Sequence, residues 1–205
     1  LRAFLGLTPL RAFGRLTNQL PQGEIHRRTV EFAFAHGGGP LREVRPVFVF
    51  IHVVCPHPPF LFRADGGIPD DAELDRFTMH DGDHMKLDEP ERPEWYRRRY
   101  VEQIRFVNDR VLRLLDAVNA IEGRPSASLL LGDHGPGSGL FWEEPGRTAL
   151  KERLGILLAG RLPGDEDREL YDTITPVNAF RALLRASLGA DLPPLFEDVA
   201  GVRVV

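Results

Sequence analysis

The chain contains a single cysteine, Cys55, so no internal disulfide can form and the redox compartment stays open. Basic residues are not in excess: 26 Lys and Arg stand against 30 Asp and Glu, a net charge of −4. That balance excludes the general basic field on which nucleic-acid binding depends. No apolar run reaches the roughly 18 residues of a membrane span, and no signal peptide is visible. Direct membrane contact from this segment is therefore not expected. There is no internal repeat and no low-complexity tract. A length of 205 residues suits one ordinary core better than two comfortable domains. The first residue is Leu rather than Met, and the expectation is a piece of a longer protein.

What is present begins with a helical lead-in over residues 1–45. Leu1–Leu20 mixes apolar residues with Arg2, Arg11 and Arg15, and Pro9 interrupts any single helix. Ile25–His36 reads as a short helix stopped by Gly37-Gly38-Gly39-Pro40. Val47–Cys55, reading VFVFIHVVC, carries the strongest strand signal in the chain. It is β-branched, aromatic and continuous, which suits a central strand covered on both faces. Its polar member, His52, reads equally as a core histidine bonded to backbone. Pro56-His57-Pro58-Pro59 follows, and the prolines hold His57 on a stiff loop at the end of that strand. A side chain preorganised there is well placed for catalysis.

Residues 63–93 are acidic and rich in turn formers, a long excursion with at most one helical turn and a candidate lid. Its His80-Asp81-Gly82-Asp83-His84 matches neither zinc-finger nor EF-hand spacing, and a solvated loop is the plainer reading. A long helix is predicted over Pro93–Glu122, opened by Pro93 and closed by Gly123 and Pro125. Its apolar stripe runs through Tyr100, Ile104, Val107, Val111, Leu114, Leu115, Val118 and Ile121. It leads into Leu129-Leu130-Leu131, a short buried strand, so that strand, helix and strand form a parallel crossover.

Asp133 and His134 stand where that strand breaks into a glycine-rich loop, the place where ligands gather in open α/β sheets. They offer a hard oxygen and a borderline nitrogen to a divalent metal; a capping aspartate in a turn is the alternative. Further on, Leu154–Ala159 is a third apolar run and Tyr171–Ile174 a short extended piece. Thr175-Pro176 starts a helix stopped by Gly189, with Val177, Phe180, Leu183, Leu184 and Leu188 as its buried face.

The succession FVFIHVVCPHPPF, YVEQIRFVNDRVLRLLDAV, LLLGDHGPGSGLFWE, RLGILLAGRLPG and LYDTITPVNAFRALL resembles the C-terminal half of the sulfatase-like branch of the alkaline phosphatase superfamily. Within that branch it is most similar to membrane-anchored sulfatase-like hydrolase/transferase proteins, phosphoethanolamine transferases among their kin. The pair of motifs, Pro-His-x-Pro after one strand and Gly-Asp-His-Gly after another, is more specific than either alone.

The resemblance implies an α/β fold with a mostly parallel sheet, helices on both faces, and an incomplete N-terminus. Residues 46–205 would be the C-terminal part of that domain. It implies a divalent metal (Zn, Mn, Mg or Ca) with Asp133 and His134 among its ligands, and an anionic phosphate or sulfate ester as substrate. His57 would meet the transferred group or its leaving oxygen, with His52 a weaker catalytic match. Arg147, Lys151 and Arg153 would supply charge for the ester oxygens, with surface salt bridging as the alternative for each. The family's nucleophile and its acidic ligands have no counterpart here, so a missing N-terminal half of the same protein would supply them, and this piece alone would be inactive. Cys55-Pro56-His57-Pro58-Pro59 lacks the arginine of the sulfatase cysteine signature, which leaves Cys55 a buried core thiol. Relatives hold this domain outside the cytoplasm on a membrane anchor. Two other readings stand beside this one: a non-catalytic binding or scaffolding module derived from the same fold, and a stand-alone hydrolase built from His52, His57 and the 80–84 loop.

Overall fold

The structure, a computed structural model, describes residues 20–43, 46–74, 78–121, 125–164 and 169–195. The expectations for Leu1–Gln19 and for the last ten residues lie outside them, as does Gly123. The chain divides into two compact units. Unit 1 comprises Leu1–Val118 and Pro136–Thr148, and unit 2 comprises Asn119–Gly135 and Ala149–Val205.

Unit 1 is organised on two helices, α1 (Gln22–His36) and α2 (Arg92–Asn119). α1 ends where its glycines predict, but Gly37 stays right-handed at φ −58° and a 3-10 turn, Gly39–Arg42, follows. Phe62 and Phe106 stack face to face at 4.1 Å in a core with Val30, Cys55 and Leu61. The Arg27 guanidinium lies 4.3 Å over the Phe62 ring and donates to the carbonyls of Leu61 and Gly66. A second cluster joins Phe60, Leu87 and Tyr96, with Phe60 edge-on to Tyr96 at 5.0 Å.

Burial drives the Cys55 thiol up to about 12, which keeps it protonated and unreactive at neutral pH. A thiol reagent such as Ellman's is therefore expected to leave the native chain unmodified and to label one site after unfolding. Rapid labelling of the native protein would contradict the placement of Cys55 in this core.

Unit 2 pairs β1 (Ser128–Leu131) antiparallel with β2 (Leu158–Arg161), Leu129 opposite Gly160 and Leu130 opposite Ala159. The five-residue helix α3 (Leu150–Leu154) precedes β2, and α4 (Pro176–Leu188) packs on β1. α4 has the predicted ends. The Thr175 hydroxyl accepts from the Asn178 amide, Pro176 fills the first turn, and Gly189 closes it at φ +63°.

The expected α/β architecture is overturned. Among the described residues helices dominate, and the sheet is one antiparallel pair of strands. The run 47–55 has the composition of a central strand but joins no ladder, and a strand exists only where a neighbour takes its hydrogen bonds. Among the described residues there is therefore no parallel crossover, since β1 pairs with the strand that follows it in sequence. Tyr171–Ile174 is a turn rather than an extended piece, closed by the Ile174 amide on the Tyr171 carbonyl at 2.9 Å. The face of α4 is also turned from expectation. Val177, Phe180 and Leu188 are exposed, while Asn178, Ala179 and Ala182 are buried, because the Asn178 side-chain amide exchanges two hydrogen bonds with the Leu195 backbone.

Candidate functional site

In unit 1 the loop Pro56–Pro59 is held by one buried side chain. Gln103 of α2 accepts from the amides of Leu61 and Phe62 at 2.7 and 3.2 Å. Its amide nitrogen donates to the carbonyls of Pro56 and His57 at 3.1 and 3.2 Å, with Pro59 at 3.5 Å. Proline carbonyls in this loop have no ladder to join, so the carboxamide supplies the partner that a neighbouring strand otherwise would.

His57 projects from this loop with its orientation fixed. Nδ1 lies 2.6 Å from the Pro58 carbonyl, which can only accept, so the proton sits on Nδ1. The other nitrogen, Nε2, faces Asp81 Oδ2 at 4.0 Å, an ion pair whenever the ring carries its second proton. The two side chains are unequally covered, 21% exposed for His57 and 3% for Asp81.

Asp81 is anchored from behind. The Tyr96 hydroxyl of α2 donates to Asp81 Oδ1 at 2.7 Å and accepts from the Gly137 amide at 2.9 Å. Burial, reinforced by the adjacent carboxylate, raises the Tyr96 phenol above its ordinary value, so it serves as a donor and not as a phenolate. Gly137 has to be glycine, because a Cβ there would stand 2.3 Å from Asp81 Oδ1. The indole of Trp142 donates to the Asp81 carbonyl at 3.0 Å, and the Asp83 amide donates to the Leu140 carbonyl at 2.9 Å. The acidic 80–84 segment is thus fastened to residues 137–142 rather than solvated throughout.

His26 of α1 stands beside this group, its Nε2 3.2 Å from the Val54 carbonyl. Burial lowers its pKa from the ordinary 6.5, opposed by the bond to Val54 and reinforced by the neighbouring His57. Folded, this ring binds a proton less readily than unfolded. The stability it contributes is therefore full above pH 6.5 and is lost as pH falls through that value toward the folded pKa. Chemical denaturation at pH 7.5 and pH 5 is expected to show a stability loss on acidification, and His26→Gln is expected to shrink that loss. An unchanged pH slope in the variant would assign the loss elsewhere.

In unit 2, Asp133 and His134 stand at the end of β1 as expected. Asp133 Oδ1 accepts from the His134 amide at 3.1 Å, and Oδ2 lies 3.8 Å from His134 Nε2. His134 Nδ1 donates to the Gly135 carbonyl at 2.9 Å, which fixes its tautomer. Arg153 grips the same glycine twice, Nη1 donating to the Gly135 carbonyl at 3.0 Å and its own carbonyl accepting from the Gly135 amide at 2.8 Å. A Cβ at Gly135 would meet the Glu152 carbonyl at 2.0 Å, so the approach of α3 to this loop requires a glycine.

His57 therefore belongs to unit 1 and the Asp133–His134 pair to unit 2. His52 is exposed on the 47–53 run, its ring 6.3 Å from that of Phe50. Arg147 is a surface residue of unit 1, bonded to Glu144 at 2.6 Å and lying over the Phe141 ring at 4.1 Å. Lys151 is exposed on α3. Asp133 and His134 present an oxygen and a nitrogen on one side, half of a four-ligand set. Among the described residues no group of three or more His, Cys, Asp and Glu could enclose an ion. Nor is any helix among them long and apolar enough to cross a membrane.

The scan of family models and the searches of curated proteins and of solved structures find no match. No family is shown.

Proposed function

We propose that this chain is part of a hydrolase or transferase acting on phosphate or sulfate esters, with His57 as its proton-handling group. The observation that carries the reading is the attitude of His57. One ring nitrogen is pinned to a carbonyl, while the other faces a buried carboxylate that a phenol and a backbone amide hold in place. With a second proton on Nε2 beside Asp81, the imidazolium can pass that proton to the oxygen that departs when a hydroxyl attacks phosphorus or sulfur, and the ring returns to its neutral form protonated on Nδ1. The attacking hydroxyl would come from polypeptide outside these 205 residues. Unit 2 offers a separate feature, in which Asp133 and His134 would hold one side of a divalent ion, its other ligands coming from outside the described residues. The family likeness supports an anionic substrate and an extracytoplasmic setting on an anchor outside this segment.

The test compares this chain alone with a longer product of the same gene that contains it, on aryl phosphate and aryl sulfate with Zn, Mn, Mg or Ca. The longer protein is expected to turn over one ester in a metal-dependent way, and the piece alone neither. Asp133→Asn is expected to weaken metal uptake, measured by metal analysis. A longer protein that binds the anion without turnover would favour the binding module instead.

A further inference from the structure

The run Val47–Val53 alternates like a strand although it joins none. Val49, Ile51 and Val53 are half-buried, whereas Phe48 and Phe50 are 72% and 79% exposed and His52 is exposed beside them. The inner side is seated on unit 1. A Cβ at Gly37 would lie 2.4 Å from Ile51 Cδ1, and Val53 packs against the core of Val30 and Phe106. Among the described residues, the backbone amides and carbonyls from Val47 to Val53 make no hydrogen bond within the chain. An extended segment in that condition is a template for another backbone, and soluble proteins ordinarily blunt such an edge with lysine, proline or a bulge. Here there is no Asp, Glu, Lys or Arg from Pro46 to Phe62.

We propose that a second copy of this chain covers the run, the two Val47–Val53 segments pairing antiparallel about a two-fold axis at Phe50. Backbone chemistry selects a strand as the occupant, since open amides and carbonyls are satisfied in a row only by another extended chain. Self-complementarity selects the same strand. Phe50 falls opposite Phe50, Val49 opposite Ile51, Val47 opposite Val53 and Phe48 opposite His52, all apolar or aromatic cross-strand pairs with no like charges juxtaposed. The symmetry is closed, so each copy contributes the same patch. This pairing is independent of the ester reading, and its test makes no use of turnover.

Sedimentation velocity of the full 205-residue chain over a wide concentration series is expected to show a monomer–dimer equilibrium. Phe50→Lys or Phe50→Glu places like charges across the axis and is expected to weaken the dimer about tenfold or more. Mixing the two variants is expected to restore it as a heterodimer. Since residue 50 is 79% exposed, both variants are expected to keep the native circular dichroism. Hydrogen exchange on the unaltered chain gives a second reading, with alternate amides between Val47 and Val53 slowed in the dimer-rich sample. A chain that stays monomeric throughout, a dimer indifferent to both charges, a mixture that fails to associate, or amides equally fast at all concentrations would each overturn the proposal.

Discussion

In a preparation that turns over an aryl ester, His57→Gln is expected to lower kcat by about 10²–10⁴-fold, the usual contribution of a positioned proton donor. KM is expected to change little, because the imidazole acts on the departing oxygen and not on the ground-state ester. Asp81→Asn is expected to cost less, about 10²-fold at most, for a reason visible in the site. In a Ser-His-Asp triad the carboxylate sets the imidazole tautomer, whereas here the Pro58 carbonyl does so from the other side of the ring. Loss of the Asp81 charge therefore leaves His57 in the right tautomer but takes away the carboxylate beside its Nε2. Tyr96→Phe removes the donor to Asp81 and the acceptor of the Gly137 amide together. Equal rates in His57→Gln and the parent enzyme would remove His57 from the chemistry and leave the arrangement a structural one.

The second large effect is on stability. Gln103→Leu is expected to destabilise unit 1 by roughly 2–5 kcal/mol, the upper end of what a single substitution does. Leucine is similar in size, so little cavity opens. What it removes is the acceptor of two buried amides and the donor to loop carbonyls whose alternatives are few. Gln103→Glu separates these roles: it keeps an acceptor for Leu61 and Phe62 but gives the proline carbonyls no donor. Urea denaturation of both variants checks the ranking, with Leu and Glu each below the parent. A parent-like midpoint for Gln103→Leu would show that the loop holds its shape without the carboxamide.

These two residues also mark how far the sequence could be read. Local signals carried through where the physics is local. Thr175, Pro176 and Gly189 set both ends of α4 with contacts a few residues away, and Pro93 stands in the first turn of α2. The face that α4 buries depends instead on Leu195, a residue its periodicity does not contain. The stripe beginning at Tyr100 passes over Tyr96 and Gln103, although both are more deeply buried than its members. Gln103 falls three residues after Tyr100 and four before Val107, so a polar residue at core spacing was the available sign of a buried hydrogen-bonding role.

The strand reading of 47–55 failed for a related reason. A continuous β-branched and aromatic composition describes one side of a ladder, and the other side must come from elsewhere. For the site, the stiffness of the Pro56–Pro59 loop and the Asp133-His134 pair were legible as residues. The approach of Asp81 to His57 was not, because a loop of turn formers gives no period from which to infer a contact 24 residues away.

The chain has two tryptophans, and Trp95 and Trp142 both belong to unit 1. Their indole nitrogens donate to Asp71 and to the Asp81 carbonyl, and the Trp142 ring stacks on His84 at 5.8 Å. Intrinsic emission excited at the red edge is thus a private reporter on one half of the molecule, silent about the half that carries β1, β2 and α4. If the two halves melt separately, emission and far-ultraviolet ellipticity will trace different curves on heating.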